Sequence, residues 1–361
     1  MRALSGALFV LFYCFLSPGF AQTGTPVRAT TPANTSASLE RGASRRVTLD
    51  VVVTDKNGIP VFGLQQADFT LLDDKQPQAI LSFEAHGGAS TAQQMPVQVV
   101  LVVDAVNIGY TALGYERIEL DKFLRQAEGK LPLPASLVIL TEAGAEIQPV
   151  ATPDGKVLAD LLKSKDVGLR TIRRSQGFYG GVERAQISLD AMERLAAYEA
   201  KQSGRKLVIW ISPGWPLLTG PHVTLTDKNH QALFDAIVRL SAELRDARIT
   251  LYSVDPLMED LGSPRTFYYE SFLKGIKSAS KTENGNVGLQ VLAVQSGGVA
   301  LFADNYISNS IGKCFDEAKA FYTLSFDSPP ADGPNEYHNL QLKIDKPGLT
   351  ARTRTGYYAQ P

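Results

Sequence analysis

The spacing of hydrophobic and polar residues changes character three times along the chain. Val47, Leu49, Val51 and Val53 alternate with mostly polar neighbours up to the turn residues Asp55-Lys56-Asn57-Gly58, the period-two pattern of a half-buried strand. Phe69-Thr70-Leu71 and Ala79 to Phe83 continue as short strands around Asp73-Asp74-Lys75, so residues 46–88 predict the N-terminal part of a small β module. From residue 96 the pattern differs. Val97-Gln98-Val99-Val100-Leu101-Val102-Val103 is almost continuously apolar and stops at Asp104, which suits a strand covered on both faces within a parallel sheet. Leu120, Phe123, Leu124, Ala127 and Leu131 then fall on one helical face. Further strands are predicted at Leu137 to Leu140, Leu207 to Ser212, Ile249 to Asp255 and Val299 to Ala303. Helices fit Ala185, Leu189, Met192 and Ala196; Leu233, Ile237, Leu240 and Leu244; and Ile307, Ile311, Cys314 and Ala318. This alternation over residues 96–320 predicts an α/β domain, a doubly wound and mostly parallel sheet with helices on both sides.

After Ala320 the chain returns to β patterning, with Tyr322 to Phe326, then Leu340, Leu342 and Ile344 alternating with polar residues, then Thr350 to Thr355. Neither terminal group has enough strands to be stable alone. Residues 321–361 are therefore expected to complete the module begun by residues 46–88, making the α/β domain an insertion in an accessory β module.

The N-terminus changes the picture of where the protein works. Met1-Arg2 gives a positive start, Ala7 to Leu16 an apolar run, and Gly19-Phe20-Ala21 a small-x-small site, so residues 1–21 read as a signal peptide cleaved after Ala21, with export to the periplasm or beyond. The run is shorter than the roughly 20 residues that cross a bilayer, and no later segment spans one. Residues 22–45, rich in Thr, Ala, Pro and Ser, read as a flexible linker. With 36 Lys+Arg against 37 Asp+Glu the formal net charge is -1, which provides no field to attract nucleic acid. Of 2 Cys, Cys14 leaves with the signal; Cys314 lies on an apolar helical face, the position of a small buried hydrophobe. With 4 His and no CxxC or HxxxH spacing, the chain offers little for a zinc site.

The strand Val97 to Asp104, the order of strands and helices, the phrase Gly204-Arg205-Lys206-Leu207-Val208-Ile209-Trp210-Ile211-Ser212 and the ending Gly348-Leu349-Thr350-Ala351-Arg352-Thr353-Arg354-Thr355-Gly356-Tyr357-Tyr358 resemble bacterial proteins with a von Willebrand factor type A-related domain, of the kind abundant in Acidobacteria. The segment Val51 to Phe83 resembles the β region that precedes the domain in those proteins. The resemblance implies a domain that binds proteins or extracellular matrix and performs no catalysis. It also implies a metal-ion-dependent adhesion site: Asp-x-Ser-x-Ser after the first strand, a Thr in another loop and an Asp after the fourth strand, holding a hard cation. Only Asp104 matches that pattern. Val106 and Ile108 occupy the two Ser positions and Ser212-Pro213-Gly214 stands where the second Asp would be, so no metal and no other cofactor is expected. Without a metal, Asp104 reads as a carboxylate capping the loop that follows it. Asp255 ends the fifth strand on the same edge, where ligands usually bind in open α/β sheets.

Three long loops are expected on that edge: Gly168 to Gly181 with Arg170, Arg173, Arg174, Phe178 and Tyr179; Pro213 to Asn229 with Trp215 and His222; and Pro256 to Gly288 with Arg265, Phe267, Tyr268, Tyr269 and Phe272. Loops of this length are often functional, and Arg and aromatic residues anchor interfaces. The same aromatics can instead pack inward and pin the loops. The candidate binding residues are Asp104, Asn107, Arg173, Arg174, Trp215, Asp255, Tyr268 and Tyr269, facing a protein partner or a matrix or envelope component. The competing reading is an envelope hydrolase using Ser212 or edge carboxylates. It lacks the first Gly of G-x-S-x-G, Pro213 removes an oxyanion-hole N–H, and His222 or His230 would have to act as base.

Overall fold

The computed structural model describes residues 45–87, 96–165, 177–218, 224–257, 267–302 and 306–361. Arg173, Arg174 and His222, like the predicted signal peptide and most of the linker, lie outside the described residues.

The central sheet is built from β5 (Val97–Asp104), β6 (Lys130–Thr141), β7 (Gly144–Ile147), β9 (Arg205–Ile211), β10 (Ile249–Asp255) and β11 (Ala300–Phe302), in the order β11-β10-β9-β5-β6-β7, with β8 (Thr152–Asp154) also paired to β6. Counted along the chain as one to six, those six strands read 3-2-1-4-5-6, the doubly wound order. The third, β7, is antiparallel and closes one edge. Val99, Leu101 and Val103 of β5 enter one core, shared with α1 (Tyr110–Arg125), α2 (Gly155–Ser164) and α6 (Ile307–Ala318). Val100 and Val102 enter the other, shared with α3 (Gly177–Glu199), α4 (Asp227–Asp246) and α5 (Leu289–Gln295). This two-sided burial explains the unbroken apolar run in β5.

One expected helix is shorter than its apolar face suggested. Ala127 and Glu128 take left-handed φ values of 48° and 60°, α1 stops at Arg125, and Leu131 belongs to β6. A residue in that region cannot continue a right-handed helix.

The strands outside the α/β domain form two four-stranded antiparallel sheets. β1 (Arg46–Thr54) lies between β14 (Thr350–Arg352) and β12 (Phe321–Asp327), and β4 (Ser82–His86) adds to β12. In the second sheet β13 (Glu336–Ile344) lies between β15 (Gly356–Ala359) and β2 (Phe69–Asp73), with β3 (Gln76–Gln78) outside. Val47, Leu49, Val51 and Val53, beside Leu324 and Phe326 of the same sheet, share a core with Leu71, Leu340 and Tyr357 of the other, so the sandwich is built from both ends of the described chain. The Asp74 and Lys75 turn that joins β2 to β3 has φ values of 44° and 70°, the double left-handed geometry of a two-residue hairpin.

Polar and aromatic contacts fix the sandwich to the α/β domain. Arg248 pairs with Asp50, Arg352 with Glu317, and Arg352 Nε donates to the Gly297 carbonyl at 2.8 Å. Tyr337 and Tyr358, on the outer face of the second sheet, pack on Phe234 and Ile237 of α4.

Candidate functional site

The doubly wound order reverses between β5 and β9, and the crevice at the carboxyl ends of those strands is where such sheets bind ligands. Asp104 ends β5 there. Its side chain is wholly buried, and four N–H groups converge on it: Val106 N at 2.9 Å and Asn107 N at 3.0 Å donate to Oδ1, Asn107 Nδ2 at 2.8 Å and Trp210 Nε1 at 3.0 Å donate to Oδ2. A cation seated on those oxygens would displace or face the positive ends of the same donors, so this donor set fits an internally satisfied carboxylate better than a metal ligand. Val106 and Ile108, each 1% exposed, turn into the two cores on opposite faces of the sheet. The loop is therefore anchored by apolar side chains at the positions where the type A motif carries Ser.

Two polar groups near this network are incompletely matched. Asn107 Nδ2 also donates to Ser188 Oγ at 2.8 Å, and Ser188 donates on to the Arg184 carbonyl, yet Asn107 Oδ1 is buried without a hydrogen-bond partner. Glu116, on the buried face of α1, is wholly inaccessible and neither carboxyl oxygen has a partner. Burial, and then the charge of Asp104, push its carboxyl well above the usual carboxylate range. Nothing in the pattern of charged residues singled out Glu116; its position on the apolar stripe, three residues after Leu113 and four before Leu120, was the available signal.

The loop after β9 is held from below. Gly214, at φ 112°, lies against Gln290, where an added Cβ would come within 2.7 Å of Nε2. Gln290 donates to the Pro213 carbonyl at 3.2 Å and accepts from Tyr268 Oη at 2.8 Å. Trp215 is 5% exposed and packs edge-to-face on Trp210 at 5.3 Å between centroids. Tyr269 is buried, and desolvation raises the Tyr268 hydroxyl pKa. Asp255, also buried, accepts from Leu257 N at 2.8 Å. Asp104, Trp215, Asp255 and Tyr269 thus turn into the protein, Tyr268 is largely enclosed, and Asn107 sits half-buried between Asp104 and Ser188. These aromatics brace the loops because bare loop backbone could not bury its polar groups without such support.

Other aromatics remain exposed on the same edge. Helices that return along a parallel sheet start at the carboxyl ends of its strands. Tyr110 opens α1, Phe178 and Tyr179 lie in the first turn of α3, Tyr306 precedes α6, and Phe267 lies in the connection after β10. Tyr179 is 76% exposed, Tyr110 67% and Tyr306 55%, with Phe178 and Phe267 a little under half. Phe178, Tyr179 and Phe267 were visible as members of long loops. Tyr110 and Tyr306 carried no signal, because each sits beside a helix start where an aromatic is as often packed as exposed.

Ser212 is wholly buried and its Oγ accepts from Gly214 N at 3.2 Å. His230 Nδ1 lies 3.1 Å from Thr282 Oγ1, and among the described residues no histidine hydrogen-bonds Ser212. An occluded hydroxyl without a base is not set up for nucleophilic attack.

No family model and no curated protein matches the chain. Among solved structures it is similar to a mutant of the PilB minor pilin from Streptococcus sanguinis, with 10% identity, 75% of this chain and 77% of that chain covered, and a TM-score of 0.34. It is similar to the manganese-loaded TRAP protein of Plasmodium vivax, with 10% identity, 77% and 98% covered, and a TM-score of 0.31. For the pilus adhesin SpaC of Lactobacillus rhamnosus GG in its open conformation the values are 10% identity, 83% and 49% covered, and 0.38, so this chain spans about half of that one. The fold is von Willebrand factor type A-like. Its strand order, its antiparallel third strand and the aspartate that ends its first strand carry that likeness.

Proposed function

We propose that this chain is a non-catalytic binding protein of the acidobacterial type A-related kind, acting in adhesion or scaffolding in the cell envelope through the strand-carboxyl edge of its central sheet, without a metal ion. The observation that carries the reading is the rim of exposed aromatics, Tyr110, Phe178, Tyr179, Phe267 and Tyr306, around a crevice whose aspartate already accepts four N–H donors. Solvated aromatic rings at one edge are characteristic anchors for a protein partner. Arg173 and Arg174 precede Phe178 and Tyr179 in sequence and are proposed to add charge to the same rim. Among the initial candidates, Asn107 keeps a contact role, while Asp104, Trp215, Asp255, Tyr268 and Tyr269 act by fixing the loops that present it.

The test is crosslinking capture from envelope extract with the exported chain and with Tyr110→Ala and Tyr179→Ala. Each substitution is expected to weaken capture of the same partner by about 1–2 kcal/mol, with melting unchanged. Capture that is equal for wild type and both variants refutes the edge as the partner surface. The hydrolase reading, through Ser212 or the edge carboxylates Asp104 and Asp255, has no observation in its favour, since all three side chains are buried.

A further inference from the structure

At the opposite end of the sheet, where the parallel strands begin, a cavity of about 850 Å³ opens between the sandwich and the α/β domain. Ligand cavities favour junctions of this kind and lie in this size range. Phe62, Leu133, Pro134, Val150 and Phe321 give it an apolar wall, and Lys319 stands on its rim. Among the described residues that line it none is acidic. Behind that wall lies Arg205, the register partner of the cavity-lining Val97. It is wholly buried, its guanidinium lies 4.6 Å from the centre of the Phe321 ring, and its Nε and Nη1 have no hydrogen-bond partner. His86 stacks on the same ring at 4.4 Å and is tied to Thr323, and its own pKa is lowered by burial. The junction therefore combines an apolar wall with a buried guanidinium, that of Arg205, whose Nε and Nη1 no carboxylate hydrogen-bonds.

We propose that this cavity binds a single-chain carboxylate amphiphile, with the carboxylate drawn to the Lys319 and Arg205 end and the hydrocarbon chain along Phe62, Leu133 and Val150. An unpaired buried cation favours an incoming anion, and the apolar wall accepts methylene groups displaced from water. The site lies at the other end of the sheet from the aromatic rim and is independent of the partner-binding reading.

The probe is decanoate, compared with decan-1-ol and decyltrimethylammonium, each titrated into the full chain by calorimetry and by thermal shift. Decanoate is expected to raise the melting temperature with its excess over Kd. It should bind roughly tenfold more tightly than either comparator. Ala151→Trp, which fills the lining at Ala151, should abolish binding. Lys319→Glu changes an exposed side chain paired only locally with Asp316, and should weaken decanoate roughly fivefold while leaving decan-1-ol unchanged. Both variants should melt like wild type without ligand. Absence of decanoate binding, equal affinity for the three probes, or decanoate binding unaffected by both substitutions overturns the assignment.

Discussion

Replacing Asp104 by Asn separates a structural carboxylate from a metal-site carboxylate. The substitution keeps the shape and one carbonyl oxygen, so Val106 N and Asn107 N retain an acceptor, now neutral. It puts an NH2 group where Oδ2 accepts from Trp210 Nε1 at 3.0 Å and Asn107 Nδ2 at 2.8 Å. Hydrogen bonds to a charged group contribute about 1.5–3 kcal/mol each, against about 1 for a neutral pair. Two such bonds are lost, two are weakened, and two buried donors face a third. Relief from burying the charge offsets part of this, and removing one partner of a buried charged network costs about 3–5 kcal/mol in comparable settings. For a cooperative unit of this size that is a fall of about 5–8 °C in Tm. The assay is thermal and urea unfolding of wild type and Asp104→Asn, each with EDTA and with millimolar Mg²⁺. Wild type should melt identically in both solutions, since an ion that binds only the native state must raise its Tm. In an empty metal site, removing an unneutralised carboxylate relieves repulsion and stabilises the protein. A variant as stable as wild type, or a Mg²⁺-dependent rise in wild type that the variant lacks, refutes the reasoning.

Four further outcomes are expected. Trp215→Ala should cost about 3–5 kcal/mol in urea unfolding, because it empties a space packed against Trp210, and an unchanged midpoint would show Trp215 to be a surface residue. Because the folded-state pKa of Glu116 is raised by burial, its contribution to stability should be fully present below the ordinary Glu range and be lost as pH rises towards the raised value, a window in which only the unfolded chain releases the proton. Glu116→Gln should flatten that decline, and a slope identical to wild type in pH-dependent melts would count against it. Truncation after Ser325 removes β13, β14 and β15 with the end of β12 and uncovers Leu71 and Leu49, so the chain should aggregate or unfold, whereas a monomer with unchanged melting would contradict the shared core. Sequencing of exported protein should begin at Gln22, and an intact Met1 terminus in a membrane pellet would defeat the signal-peptide reading. Among the described residues no helix is long and apolar enough to cross a membrane.

Period and run length made the α/β class readable. β5 and β9 are buried on both faces and announce themselves by the unbroken apolar runs Val99 to Val103 and Leu207 to Ile211, and Ile307, Ile311 and Cys314 mark α6 by their spacing. The elements without such a signal were the short ones. β7, β8 and β15 have four residues or fewer and α5 has seven, too few positions for a period to show. The loss of oxygen ligands at Val106 and Ile108 was equally legible, since an apolar side chain cannot ligate a cation whatever its surroundings.

Tertiary packing decided what composition could not. Tyr268 and Tyr269 are the same residue type as Tyr110, Tyr179 and Tyr306, and Trp215 is likewise aromatic, yet Trp215, Tyr268 and Tyr269 brace loops while Tyr110, Tyr179 and Tyr306 face solvent. Aromatic side chains carry no local mark of which they will do, because burial depends on what the rest of the chain brings against them: Trp210 beneath Trp215, and Gln290 beside Tyr268. The same holds for Asp104. Its place at the end of the first strand follows from the sequence, whereas its four donors come from its own loop and from an indole on a strand 106 residues away, and only the folded sheet brings that indole within 3.0 Å.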